Sequence, residues 1–113
     1  MPLAPSISFR HMETSEAVEA LILEKVAKLE TFYDRISHCD VVLEEPHRSH
    51  TKGDHFHVRI RLTVPGEEIV VDNKDQEQHE DAMIAVRDAF EVASRKIKAY
   101  AAKKRDEKRQ STK

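Results

Sequence analysis

The apolar residues occur in blocks whose spacing changes along the chain. Ile7 and Phe9 are separated by one polar residue, which predicts a short first strand. From residue 12 to residue 35 the spacing becomes helical, and Thr14 or Ser15 can cap the start of that helix. The apolar positions that recur at intervals of three and four in this segment are Val18, Ile22, Val26, Leu29 and Tyr33.

Three further strands are predicted after this helix. Residues 39–45 are rich in β-branched side chains, and residues 55–64 alternate strictly between apolar and polar. The sequence "VPGE" at 64–67 matches a type II turn, and residues 67–73 form the returning strand. The apolar face of the alternating strand consists of Phe56, Val58, Ile60, Leu62 and Val64.

Helical spacing returns after a polar link and predicts a second, alanine-rich helix. Its apolar positions are Met83, Val86, Phe90, Ala93, Ile97 and Tyr100. The order β-α-β-β-β-α predicts an α+β fold in which two helices pack on one face of a four-stranded sheet. We expect residues 1–102 to form this single domain and residues 103–113 to form a basic, disordered tail.

Charge is distributed unevenly between the two parts of the chain. Residues 1–94 hold ten Lys/Arg against nineteen acids, whereas residues 95–113 hold nine Lys/Arg against two acids. A solvated helix end would explain the basic segment, and so would a surface that binds a polyanion. The single cysteine, Cys39, and the absence of a signal peptide favour a reducing cytoplasm. No apolar run reaches the length of about 18–20 residues that spans a bilayer.

The histidines near the middle of the chain raise the question of a metal site. His47, His50, His55 and His57 are close in sequence, and the last two share one face of a predicted strand. Zinc requires three or four converging ligands, and this spacing does not define such a set. We interpret the segment as a polar loop and an exposed strand face, and we expect no metal, no cofactor and no catalytic constellation.

Basic residues give a more specific indication. On a helical wheel Arg87, Ser94, Lys98 and Arg105 fall within about 40° of one another, beside the apolar face of the second helix. On the first helix, the apolar stripe is interrupted by Lys25, with Lys28 at its margin. Such interruptions are expected at functional sites, although the Lys25 stem could simply cover apolar surface and Lys28 could pair with Glu24, four residues earlier.

Residues 7–100 resemble the hibernation-promoting factor family. The resemblance is carried by the segments "FRHMETSEAVEALILEKVAKLETFYDRI", "VVLEE", "HVRIRL", "GEEIVV" and "HEDAMIAVRDAFEVASRKIKAY". Its most specific parts are "KVAKLE" at 25–30 and "HED" at 79–81 with Ala85.

The resemblance implies a ribosome-binding inhibitor of translation. Members of the family bind the small ribosomal subunit in the channel that holds mRNA and the A- and P-site tRNAs, and they protect idle ribosomes in stress or stationary phase. Their rRNA-contacting positions map to Lys25, Lys28 and Arg95. The helical wheel adds the further candidates Arg87, Lys98, Lys103, Lys104 and Arg105.

Two departures and two alternatives accompany this expectation. A lysine common in the middle of the family's second helix corresponds to Val92, and an aromatic residue near its start corresponds to Met83. The dimerising domain of long family members is absent from this sequence, so we expect a short form without a dimerisation domain. The alternatives are a general module for double-stranded or structured RNA and a metal-dependent enzyme built on the histidines.

Overall fold

A computed structural model describes residues 3–45, 56–72 and 81–111 of the chain. The order of elements is β-α-β-β-β-α, as the sequence predicts, with bounds β1 (Ser6–Arg10), α1 (Glu16–Phe32), β2 (His38–Glu44), β3 (His57–Val64), β4 (Glu67–Val71) and α2 (Ala82–Ser111). The expected α+β fold is confirmed.

The four strands form one mixed sheet in the order β1-β2-β3-β4. β1 and β2 are parallel, with Ile7 opposite Val41, because α1 connects them as a crossover. β3 is antiparallel to both β2 and β4. The turn between β3 and β4 places Gly66 at φ 86°, the conformation that the third position of a type II turn requires.

One face of this sheet forms the floor of the core. The strict alternation of β3 appears as buried Val58, Ile60, Leu62 and Val64 between half-buried or exposed polar neighbours. β2 alternates in the same way, with Cys39, Val41 and Leu43 buried. Burial of each side chain of this size stabilises the fold by about 1.5–3 kcal/mol, so both helices pack on this face. The polar side chains of the strands lie on the other face, which is open to solvent.

Polar side chains fix the starts of both helices. The Ser15 hydroxyl accepts a hydrogen bond from the Val18 amide at 3.2 Å, so Ser15 is the N-cap of α1. At α2, the Asp81 carboxylate accepts hydrogen bonds from the amides of Met83 at 2.8 Å and Ile84 at 3.3 Å. Each cap satisfies amide groups that have no partner within the helix.

α2 continues to Ser111, well past residue 103, where we expected an irregular tail to begin. The segment contains neither glycine nor proline and is rich in Lys and Arg, which favour helix even without core contacts. Lys104 and Glu107 add a pair one turn apart at 3.4 Å. The helix therefore projects beyond the sheet as a largely exposed arm.

The buried thiol of Cys39 gives a direct test of the sheet. Burial, and secondarily the neighbouring Asp40 carboxylate, raise the pKa of Cys39 from 9.0 to about 12. We expect the native protein to react with an aromatic disulfide reagent at about pH 8 far more slowly than the protein unfolded in urea, because the thiolate is the reactive form.

The same pKa shift has a consequence for stability at alkaline pH. Because the folded state holds the thiol proton more tightly, the contribution of Cys39 is complete below pH 9.0 and is lost as pH rises toward about 12. The free energy of unfolding from urea titrations should fall over that range.

In the labelling experiment, rapid reaction of Cys39 in the native protein at about pH 8 would contradict the buried position of β2.

Candidate nucleic-acid interface

The two helices run in the same direction and touch near the end of α1. β3 is antiparallel to both β2 and β4, so β4 has the same direction as β2. Each helix runs antiparallel to the strand that precedes it in the chain, so the two helices share one direction. The Lys98 ammonium of α2 lies over the Phe32 ring of α1, 4.3 Å from its centroid. This cation–π contact identifies the flank of α1 that faces α2.

Lys25 and Lys28 lie on the flank marked by Phe32. They precede it by seven and four residues, and residues at this spacing share one side of a helix. The opposite flank faces β1, since the Glu30 carboxylate accepts a hydrogen bond from the Leu3 amide at 3.0 Å. The lysines of α1 are thus directed toward α2, away from the edge of the sheet.

α2 contributes a matching row of cations. Arg87, Ser94, Lys98 and Arg105 are spaced by seven, four and seven residues, so they lie on the side of α2 that contacts Phe32. We define the basic seam as the row along the junction of the helices formed by Lys25, Lys28, Arg87, Lys98 and Arg105. Helical spacing, taken from the contact of Lys98 with Phe32, assigns these five residues to the facing flanks of the two helices.

The other three candidates lie outside the seam. Lys103 follows Lys96 by seven residues, and the Lys96 ammonium bonds to the Val70 carbonyl at 3.0 Å, so Lys103 lies on the flank that faces β4. Arg95 is exposed on the outer side of α2, one turn before Lys98. Lys104 lies over the Tyr100 ring at 5.5 Å and pairs with Glu107.

The two lysines of α1 differ in whether packing or an intrahelical ion pair explains their positions. Lys25 is half-buried between the buried Leu21, Ile22 and Leu29, which is the position of a stem that covers apolar surface. Lys28 is exposed, and no salt bridge joins it to Glu24 in the described part of the chain. The intrahelical pair therefore does not account for Lys28, and its ammonium is available to a partner.

Tyr100 attaches one end of the seam to the rest of the domain. This end, which lies at the end of α1 and includes Lys98 and Arg105, is called the lower end below. Its hydroxyl donates a hydrogen bond to the Pro65 carbonyl at 2.5 Å, and its ring meets Tyr33 edge-on with centroids 5.1 Å apart. Burial, then the hydrogen bond with Tyr33 and nearby negative charge, raise the pKa of Tyr100 to about 12, while Arg35 opposes the shift. The hydroxyl is therefore neutral at physiological pH, and α2 is held at a defined position.

The histidine segment lies largely outside this picture. His47, His50 and His55 are outside the described residues, and His57 is half-buried on the open face of the sheet. Within residues 3–45, 56–72 and 81–111, no three His, Cys, Asp or Glu side chains come together as metal ligands would. Neither helix, over its described length, is apolar enough to cross a membrane.

Comparison with known proteins identifies the family. Residues 6–105 match the family model described as sigma 54 modulation protein / S30EA ribosomal protein. The chain belongs to this family. The resemblance to hibernation-promoting factors, drawn from the sequence, is thereby confirmed.

Individual relatives are consistent with that assignment. A ribosome hibernation promoting factor from Pseudomonas putida is 27% identical over 95 residues, which cover 84% of this chain and 83% of that protein. The N-terminal domain of Protein Y from Thermus thermophilus has the same fold, with a TM-score of 0.69 and 20% identity over 88% of this chain and 99% of that one. A ribosomal subunit interface protein from Coxiella burnetii gives a TM-score of 0.70 at 16% identity, over 86% and 96% of the two chains.

The structure separates the roles of the residues in the two family motifs. In "KVAKLE", Leu29 is buried and Glu30 holds the backbone of Leu3, whereas the two lysines point to the seam. Asp81 of "HED" caps α2, and Ala85 is buried beneath it. The departure at Val92 is also structural, because this side chain is 7% exposed and belongs to the core.

Sequence reasoning missed one cation of this region. Arg35 follows α1 in irregular structure, where no periodicity indicates which way a side chain faces. The fold places it in the lining of one cleft together with Lys104 and Arg105 of α2, at the lower end of the seam. Its position relative to the Tyr33–Tyr100 pair depends on tertiary packing that a helical wheel does not represent.

The seam lysines should be dispensable for folding. We expect Lys25→Met to keep the free energy of unfolding within about 0.5 kcal/mol or to raise it, because the methionine covers the same apolar surface without a charge to solvate. Leu29→Ala, at a fully buried position on the same helix, should instead cost about 2–5 kcal/mol. Urea titrations of both variants measure the difference, and a large loss in Lys25→Met would assign this lysine a structural role.

Proposed function

We propose that this protein binds the small ribosomal subunit through the basic seam and keeps idle ribosomes inactive. The seam would occupy the channel between head and body where mRNA and the A- and P-site tRNAs lie. Inhibition is steric competition, with no cofactor, no small-molecule substrate and no catalytic step. The observation that supports the proposal is the Lys98–Phe32 contact, from which helical spacing assigns five cations to the junction of two helices, in a member of the S30EA ribosomal protein family, one relative of which is named a ribosome hibernation promoting factor.

Affinity in this mechanism comes largely from phosphate groups. Lys and Arg that neutralise RNA phosphates release condensed counterions, which favours binding without any readout of base sequence. Lys98 is already held over Phe32, so little of its side-chain freedom remains to be lost on binding. Specificity follows from the shape of two parallel helices that fit a pocket of folded rRNA.

Three acids of α1 are compatible with this mode of binding. Glu16, Glu19 and Glu30 lie toward the flank of α1 that faces β1, away from the seam. Charges separated by more than about 8 Å are largely screened at physiological salt, so these carboxylates weaken binding little. They disfavour the approach of RNA to that side and so orient the protein with the seam toward rRNA.

Charge reversal in the seam tests the site. We expect wild-type protein to co-migrate with small subunits or 70S ribosomes in a sucrose gradient, and to be released by about 0.5 M salt. Lys25→Glu combined with Lys28→Glu should weaken binding by about tenfold or more, since both changes replace an attraction to phosphate with a repulsion. Circular dichroism should show that the variant remains folded.

A matched control is available on the open face of the sheet. Arg10 and Arg59 are both exposed there, and Arg10→Glu with Arg59→Glu makes the same change in net charge. This control should co-migrate with ribosomes nearly as well as the wild type. If the two double variants lose binding equally, net charge and not the seam governs association. A wild-type protein that stays at the top of the gradient at low salt would refute the function, and preferential binding to a bare RNA duplex would favour the general RNA-binding module.

The salt dependence of binding gives an independent count of phosphate contacts. We expect the logarithm of the affinity for small subunits to fall linearly with the logarithm of salt concentration, and Lys28→Ala should reduce the slope by about 0.7–0.9. Glu24→Ala, one turn away on the same helix, should leave the slope unchanged or slightly steeper. An unchanged slope for Lys28→Ala would remove this residue from the interface.

A further inference from the structure

A cleft opens at the lower end of the basic seam, where the arm of α2 passes the end of α1. It has a volume of about 790 Å³ and is lined by residues 30–35, by Pro65 and by the α2 arm. Sites of about 300–1,000 Å³ are typical for small ligands. The cleft exists because α2 continues as a helix beyond Tyr100, where its packing on the sheet ends.

The lining of the cleft carries a small excess of positive charge. Its four cations are Arg35, Lys104, Arg105 and Lys108 and its three carboxylates are Glu30, Asp34 and Glu107, a net charge of +1, and Glu107 pairs with Lys104 at 3.4 Å. Arg35 and Arg105 line opposite walls, and neither forms a salt bridge or side-chain hydrogen bond with another described residue. Asp34, which precedes Arg35 in the sequence, and Glu30 are the carboxylates of the lining outside the Lys104–Glu107 pair.

An aromatic surface accompanies these two guanidinium groups. Tyr33 lines the cleft and is half-buried, with its ring fixed edge-on against Tyr100. A ring held in this way loses little freedom when another flat group stacks on it. Cationic walls combined with an ordered aromatic ring are the features by which proteins hold unpaired nucleotides.

We propose that this cleft holds an unpaired nucleotide of RNA, with its phosphate between Arg35 and Arg105 and its base against Tyr33. The proposal rests on the function proposed above, because Arg105 belongs to both the seam and the cleft. It extends that function by assigning a single-stranded or extruded nucleotide to one end of an interface that otherwise recognises folded rRNA by shape.

The need to stack a base on Tyr33 favours an unpaired nucleotide over a duplex. A base within a helix presents its edge, while its faces are covered by the neighbouring bases, so it cannot stack on Tyr33. A duplex could touch the α2 arm from outside through its backbone but would leave the cleft empty. Stacking also accepts any of the four bases, so we expect weak sequence preference.

The composition of the chain supplies a direct optical reporter. The protein contains no tryptophan, and its two tyrosines are Tyr33 and Tyr100, both at this end of the domain. We expect a single-stranded oligouridylate to quench the intrinsic tyrosine emission of the full chain, and a self-complementary duplex of equal length to quench it far less. Equal quenching by both probes would overturn the assignment to an unpaired nucleotide.

Substitutions then test the two recognition elements separately. Arg35→Glu keeps both tyrosines and should weaken the quenching interaction about tenfold or more, because a phosphate contact becomes a repulsion. Tyr33→Leu should weaken oligouridylate binding, followed by anisotropy of an end-labelled probe, about fivefold or more through loss of stacking. Arg59→Glu, on the open face of the sheet, is the matched control and should bind like the wild type.

Failure of this proposal is distinguishable from failure of the proposed function. If wild-type protein co-migrates with ribosomes but oligouridylate leaves its tyrosine emission unchanged, the cleft does not bind a nucleotide and the ribosomal function stands. Quenching that is identical in wild type and Arg35→Glu also overturns the proposal, because binding then occurs elsewhere. Thermal melts of Tyr33→Leu and Arg35→Glu show whether both variants remain folded. If both are folded and both still bind oligouridylate like the wild type, the contacts assigned to Tyr33 and Arg35 are wrong.

Discussion

Burial of a single face of the sheet is the constraint on which the remainder of the structure depends. β2 and β3 alternate so strictly that their apolar side chains fall on one side, where Val41 and Ile60 lie opposite each other with no exposure. Two amphipathic helices can cover that side only by lying next to one another. The parallel crossover from β1 to β2 and the return from β4 also give both helices the same direction. A long junction between two parallel helices is the result, and the basic seam follows that junction.

The position of the cations relative to this junction explains how a chain of net charge −2 can present a basic surface. On α1 Glu16, Glu19 and Glu30 lie on the flank opposite the lysines, and the contacts of Glu30 with Leu3 and of Phe32 with Lys98 show which flank faces which neighbour. The residues of the motif "KVAKLE" therefore have three separate roles. Leu29 anchors the helix, Glu30 ties down the chain before β1, and the lysines are left for an external partner.

Periodicity predicted the parts of the molecule that a repeating pattern controls. The strands, an N-cap at Thr14 or Ser15, the turn at Gly66 and the shared face of Arg87, Lys98 and Arg105 all follow from spacing, and the structure selects Ser15 as the cap. Lys103 is predicted together with them, yet the fold directs it toward β4, since it continues the row of Lys96. Arg35 was missed because irregular backbone carries no period. These residues required knowledge of which elements are neighbours.

The length of α2 shows a different limit of sequence reasoning and leads to a physical account of the arm. Beyond Ala101 the side chains described are largely exposed, so helix propensity and local pairs such as Lys104–Glu107 maintain the helix there. Isolated helices shorter than about 12–15 residues are marginal in water, so these turns depend on the packed turns before them. Tyr100 is the last strong attachment, through its hydrogen bond to Pro65 and its contact with Tyr33. The same tyrosine pair therefore sets the direction of the arm, the width of the cleft beneath it and the position of Arg105 relative to the rest of the seam.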